Sequence, residues 1–462
     1  MTSLRKNVWK TLNHKEAKAL YAYAERYKIF LDEAKTEREA AQYIAKAATQ
    51  AGFIPYEKKP LQAGEKVFLL YKEKAVVLLI KGKKPLTEGI RVVGAHIDAP
   101  RLDLKPQPLY EDGKIALLKT HYYGGIKKYQ WTTIPLALHG VVFTLDGKKI
   151  DIRIGDKPGD PVFYITDLLP HLGRKQMEKT MQEGITGEAL NVVCGHAPLG
   201  HCKEDLSEPI KARVLDYLEK TYGITEDDLT LAELELVPAA NAQDVGFDRS
   251  MIAAHGHDDR SCAFAALDAI LGLSDPEETT VALFVDKEEI GSVGNTSMSA
   301  AFFENFLADL LAHDHENVDM ALRKTLSHMH VLSADVTAAF DPTYPEVMDA
   351  KNSAYLGYGP CLSKYTGARG KSGSNDANAE YLLSLRQIFH HHNVPWQIGE
   401  LGKIDEGGGG TIAYILANRG AEVVDMGVPV LSMHAPIELV SKADVYATSK
   451  AYRAFLLGIN HD

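Results

Sequence analysis

The sequence carries only four cysteines among its 462 residues, Cys194, Cys202, Cys262 and Cys361. That is too few for a disulfide scaffold and fits a reducing compartment. There is no run of eighteen apolar residues, and the stretch from Met1 to Trp9 lacks the apolar core of a secretory signal. A cytoplasmic protein with no membrane span is therefore expected. Positive charge is also in short supply, since 51 Lys and Arg against 62 Asp and Glu leave a formal charge of -11. An acidic field repels phosphates, and no basic stripe interleaved with aromatics is present, so nucleic acid is not an expected partner. Internal repeats and low-complexity tracts are not apparent. What the chain has in quantity is apolar residues, 45% of the total. A single core rarely extends past about 250 to 300 residues, so a chain of this length is expected to form two domains.

Two amphipathic stretches, Lys15 to Ala34 and Thr36 to Gly52, have helical spacing, with Ala17, Leu20, Tyr21, Ala24 and Tyr27 along one face. Lys66–Tyr71 and Ala75–Ile80 follow as paired strands. From Met251 onward strand and helix alternate, as in the helix Ser261 to Leu271, the strand Thr280 to Val285 and the terminal helix Ser441 to Leu457. Such alternation predicts an α/β fold, a mostly parallel sheet with helices on both faces. Between Leu104 and Pro238 the texture becomes β-rich and punctuated by turns, with Asp146-Gly147 as a hairpin signal. The expected organisation is thus a domain made of residues 1–103 and 239–462, interrupted by an inserted β-rich domain over 104–238.

The chemistry concentrates where apolar runs end. Val281 to Val285 leads into Asp286-Lys287-Glu288-Glu289, Ile90 to Ala95 into His96-Ile97-Asp98, His330 to Ala334 into Asp335, and Val428 to Met433 into His434. Taken alone, adjacent glutamates are also what a solvated turn contains. Ligands of open α/β sheets gather outside the carboxyl ends of strands, however, so four such ends bearing His, Glu, Asp and His are candidates for one site. Asp258, just before the helical run that starts at Ser261, is in the place of a helix N-cap. Beside the other four it is equally suited to bridge two metals about 3.5 to 4 Å apart. The set His96, Asp258, Glu289, Asp335 and His434 mixes imidazole with carboxylate, which suits a catalytic zinc or manganese pair better than a closed structural zinc. Glu288 is left over as a general base. Asp98, two residues after His96 and on the same face, is placed to accept the His96 ring N–H.

With these pieces in order, the chain resembles the aspartyl aminopeptidase family of co-catalytic zinc exopeptidases over nearly its whole length. The residues that carry the likeness are His96-Ile97-Asp98 with Lys105-Pro106, Asp258-Asp259 before a helix, Glu288-Glu289-Ile290-Gly291-Ser292, Ser333-Ala334-Asp335, and Met433-His434 with Glu438. The resemblance implies a metallo-aminopeptidase that removes the first residue from peptides with a free N-terminus. It implies two divalent ions, zinc first with manganese or cobalt as alternatives, one held by His96 and Asp335, the other by Glu289 and His434, with Asp258 between them. Glu288 would deprotonate the attacking water. The resemblance further implies a homo-oligomer, a dodecamer built from dimers through the inserted domain, in which His171 of the stretch Leu168-Leu169-Pro170-His171-Leu172 reaches a neighbouring subunit's site. Lys364 falls near a substrate-facing lysine.

The chain also departs from the family. Ile126-Lys127-Lys128-Tyr129 follows Gly124-Gly125 where a Trp-Phe-Asp-Arg-type segment is frequent, and Asp341-Pro342-Thr343-Tyr344 replaces a frequent His-Pro-Asn run. Acidic and neutral or apolar first residues both stay open as preferences. A dinuclear amidohydrolase or deacylase and an inactive assembly protein of the same fold are the alternative readings. Three other signals are set aside. Cys194-Gly195-His196 with His201-Cys202 lacks the spacing of common zinc modules, His390-His391-His392 suits a helix C-terminus, and Gly407 to Gly410 lacks the Lys-Ser or Lys-Thr of a phosphate loop.

Overall fold

The computed structural model describes residues 6–200 and 206–459. The chain divides into two compact units, Met1–Ala99 with Ala242–Met433 and Glu438–Asp462, and Pro100–Asn241 with His434–Ile437. These divisions fall a few residues from the expected boundaries at 103/104 and 238/239, and they give a short piece after Met433 to the second unit.

The first unit is built on a nine-stranded sheet. Its four central strands, Thr279–Val285, Ile90–His96, Met329–Ala334 and Glu422–Gly427, lie side by side and parallel. Of its eight pairings five are parallel and three, on the flanks, are antiparallel, so the sheet is mixed but mostly parallel, as expected. The reason for the antiparallel pairings is local: Lys66–Tyr71 and Ala75–Ile80 are joined by three residues, a connection short enough only for a hairpin, and Cys361–Ser363 pairs antiparallel on the other side. Every residue of Thr279–Val285 is buried. Strand periodicity divides them between two cores, with Ala282 and Phe284 entering one cluster while Val281, Leu283 and Val285 enter the other.

Helices cover both faces. His14–Glu33 and Glu37–Gln50 begin with capping boxes, Asn13 with Glu16 and Thr36 with Glu39, which explains why these two helices are readable from sequence. Together with His257–Leu271, Ala379–His391 and Lys442–Leu457 they pack on one face, and Phe302–Leu311 and Val318–Ser327 pack on the other. Among the described residues no helix is long and apolar enough to cross a membrane.

A second, five-stranded sheet in this unit joins Gln243–Val245, Met251–Ala254, Glu438–Ser441, Pro429–Leu431 and Thr337–Ala338. It corrects the expectation that the run into His434 ends a strand of the main sheet. The strand in the main sheet is Glu422–Gly427, and the chain leaves it just afterwards. Gly427 permits the crossing, because a Cβ there would stand 1.8 Å from the Asp335 carbonyl oxygen.

In the second unit six strands close on themselves. Glu233–Pro238 pairs with both Arg101–Asp112 and Pro135–Phe143, and the ring is completed through Ile115–Tyr123, Val192–Gly195 and Phe163–Ile165. Lys149–Ile154 adds to Pro135–Phe143 through a turn at Asp146-Gly147, where Gly147 has φ +84°. Leu102, Trp131, Leu136, Leu236 and Val192 form its core.

Candidate metal centre

Three strand ends supply most of the site. His96 is the last residue of Ile90–His96 and is in register with Val285. Beyond Val285 the chain turns through Lys287 at φ 67°, so that Glu288 and Glu289 form a short helical turn rather than continuing the strand. On the other side of His96's strand Ala334 pairs with Ala95, and Asp335 follows it. The fourth contribution comes from the start of His257–Leu271, where Asp258 and Asp259 have non-helical dihedrals and a cis peptide between them. The Oδ1 of Asp258 lies 3.1 Å from His96 Nε2.

Around His96 Nε2 the carboxylates converge, with Glu288 Oε2 at 3.9 Å and Asp335 Oδ1 at 4.0 Å. Two overlapping triads result, His96 with Asp258 and Glu289, and His96 with Glu288 and Asp335, each with one ligand atom per residue all within 4.8 Å of one another. Asp98 ties the pieces together. Its Oδ1 lies 3.3 Å from His96 Nδ1, and its carboxylate accepts the backbone N–H groups of Glu288 and Glu289, each at 3.2 Å. Exposure sorts the roles: the side chains of Asp98 and His96 are 0% and 1% accessible, whereas Asp335 and Glu288 keep 11% and 17%. The carboxylate read as the base is thus among those an incoming molecule can reach.

The electrostatics call for a cation. Burial alone would lower the His96 pKa, but hydrogen bonds to Asp258 and Asp98 and the charges of Glu288 and Asp259 outweigh it and hold the imidazole well above its ordinary value. Burial, then repulsion from Glu288, pushes Asp335 well above the usual carboxylate range. Asp259 is driven the same way, by burial first, with the charge of Asp258 adding to it. Like charges crowded into a low-dielectric place are relieved by protons or by metal. With imidazole and carboxylate donors, the residues present fit zinc.

Neither triad contains the remaining expected site residues. His434, at φ 63°, belongs to the second unit, where its Nδ1 lies 2.8 Å from the Gly125 carbonyl oxygen. His171 is exposed in a turn beside Leu168, Leu169 and Leu172, which are themselves 53%, 50% and 70% accessible. Lys364 follows Cys361–Ser363 and stands 3.9 Å from Asp376. His201 and Cys202 lie outside the described residues. The Gly407–Gly410 run packs backbone on backbone, the Gly367 N–H donating to the Gly409 carbonyl at 2.7 Å. Sequence reading gave Asp259 and Glu438 only places in motifs; the Asp259 Oδ2 accepts the His96 N–H at 3.3 Å, and the Glu438 Oε2 accepts the Asp258 N–H at 3.0 Å.

Comparison with known proteins points to the same metal. Residues 30–456 match the model of a peptidase family described as aminopeptidase I zinc metalloprotease (M18). The chain is 47% identical over 456 residues to a Clostridium acetobutylicum protein named a probable M18 family aminopeptidase 1, covering 98% of each. Among solved structures, an M18 family aminopeptidase from Thermotoga maritima superposes with a TM-score of 0.94 at 44% identity, covering 98% of this chain and 99% of that one. The structure of aminopeptidase I from Clostridium acetobutylicum gives 0.92 at 45% identity, covering 99% of each.

Proposed function

Because the chain belongs to the M18 family of zinc aminopeptidases, we propose that the cluster around His96 is where it removes N-terminal residues, with Glu288 as general base. The observation that carries this is the pair of triads sharing His96, each with all its ligand atoms within 4.8 Å. In this reading His96 and Asp335 would hold one zinc and Glu289 and His434 the other, with Asp258 available to both. Contact with the Gly125 carbonyl would fix the His434 ring by Nδ1 and leave Nε2 as the ligand atom. The zinc pair, when bound, supplies a water acidic enough to ionise near neutral pH and positive charge for the oxyanion of the attacked carbonyl. Glu288 takes the proton from the attacking water and returns it to the leaving amine. Its position is set from behind, since Asp98 grips the Glu288 amide and leaves the carboxylate to face the reaction.

The substrate's free α-amine sits against the anionic cluster, which limits cleavage to the first peptide bond. Lys364 is the residue read as facing an acidic substrate side chain. Asp376, 3.9 Å away, is paired more closely with Lys371 at 2.8 Å, so acidic and neutral or apolar first residues both stay open. His171 completes a neighbouring subunit's site, and the protein works as a homo-oligomer in the cytoplasm, a dodecamer assembled from dimers through the second unit. The exposed Leu168, Leu169 and Leu172 support this, because apolar side chains clustered at a surface mark an interface.

Release of amino acids from dipeptides with acidic, basic and apolar first residues, each beside its N-acetylated copy and with or without chelator, tests the reading. Chelator-sensitive release from free peptides alone is expected. Release from acetylated peptides would instead establish a deacylase.

A further inference from the structure

Four residues of the cluster share a feature that ligand geometry does not require. The backbone amides of His96, Asp258, Glu288 and Glu289 all donate to buried carboxylates that lie behind the ligand atoms. Asp98 takes the two glutamates. Asp259 takes His96 at 3.3 Å, and Glu438 takes Asp258 at 3.0 Å. Asp259 is 0% and Glu438 1% exposed, so neither serves the surface.

The two contacts connect three elements in series. Glu438 opens the strand Glu438–Ser441, which is paired with Met251–Ala254 so that Glu438 faces Ala254, four residues ahead of Asp258. From there it fixes the amide of Asp258 at the irregular start of His257–Leu271. Asp259, the next residue, fixes the amide at the end of Ile90–His96. The 3.1 Å approach of His96 Nε2 to Asp258 Oδ1 is therefore bracketed on both sides by hydrogen bonds to the backbone. A loop with non-helical dihedrals would otherwise be free to pivot, and hydrogen bonds to a buried carboxylate are among the stronger ones.

We propose that Asp259 and Glu438 are positioning residues that set the spacing of His96 and Asp258 through their backbone amides, and thereby the affinity of the site for its metal pair. The inference rests on the two-zinc reading. It concerns reach rather than charge, which makes it separable: a glutamine at 438 keeps an oxygen at the same distance, whereas an aspartate keeps the charge but falls one methylene short.

Zinc stoichiometry and affinity, read by competition with a chromophoric chelator on the full-length protein, compare wild type with Glu438→Asp and Glu438→Gln. Far-UV circular dichroism and melting of the metal-free forms serve as the folding control. Outer partners of metal ligands typically contribute 10- to 100-fold in affinity, so Glu438→Asp is expected to weaken zinc binding by about that factor, while Glu438→Gln stays within about 3-fold of wild type. At saturating zinc, Glu438→Asp is expected to lower kcat with KM little changed, and Glu438→Gln to restore it. Wild-type affinity in Glu438→Asp, or equal losses in both variants, would overturn the proposal. A wild type that binds fewer than two zinc ions would instead overturn the two-zinc reading beneath it.

Discussion

Replacing Asp98 with alanine would remove a side chain that touches three members of the centre. Its carboxylate accepts from the Glu288 and Glu289 amides at 3.2 Å each and lies 3.3 Å from His96 Nδ1. A hydrogen bond to a charged acceptor contributes about 1.5–3 kcal/mol. Because both amides are only part-buried, the lower end applies, and the pair together should amount to roughly 3 kcal/mol of stability. The imidazole would keep its 3.1 Å contact with the Asp98 backbone carbonyl, so the ring should retain its tautomer but lose its anionic partner. Zinc affinity should fall by about 10- to 100-fold, the usual weight of an outer-shell carboxylate. Asp98→Asn should fall between, since its oxygen can accept one amide while its NH2 faces the other. Urea unfolding of the metal-free forms reads the first quantity and chelator competition the second. An Asp98→Ala protein that unfolds at the wild-type midpoint and binds zinc within twofold of wild type would refute the reasoning.

Three further outcomes follow from the same geometry. Glu288→Gln should lower kcat by about 10²- to 10⁴-fold while two zinc ions per chain remain by elemental analysis; loss of zinc would make Glu288 a ligand. Gly427→Ala should displace Asp335, whose carbonyl oxygen would lie 1.8 Å from the new Cβ, and should cost zinc occupancy, so full occupancy in that variant would contradict the crossing described above. Asp444, buried between the N–H groups of Gly357 and Gly359, is pushed up to about 7 by burial despite those two bonds. A carboxyl raised in the folded state holds its proton more tightly there than when unfolded, so its contribution is fully present below the ordinary carboxylate range and is lost as pH rises towards 7. That rise corresponds to about 4 kcal/mol, and Asp444→Asn should flatten the dependence of the urea midpoint between pH 4 and 8; an unchanged slope would show that Asp444 is not its source.

Most of the cluster around His96 was legible in the sequence because strands end sharply. Val281 to Val285 and Ile90 to Ala95 are unbroken apolar runs, and a carboxylate or imidazole immediately after such a run has few places to go except the edge of a sheet. Asp258 was legible as the start of a helix, though not which partner its oxygens would choose. The strand before His434 misled for a physical reason. Val428 to Met433 looks like a buried strand, while Glu422–Gly427, which occupies the main sheet, contains Asp425, a buried carboxyl that spoils the apolar pattern. The antiparallel flank was written in the three-residue connection after Tyr71. The amide contacts of Asp259 and Glu438 span 163 and 180 residues, and no local pattern in one sequence encodes a contact of that range.

The most direct test of the account is diffraction from zinc-loaded crystals at the zinc absorption edge. Two anomalous peaks about 3.5 to 4 Å apart are predicted, with Asp258 between them, His96 and Asp335 on one, Glu289 and His434 on the other, and Glu288 on neither. A single peak, or a pair coordinated by Glu288, would contradict it.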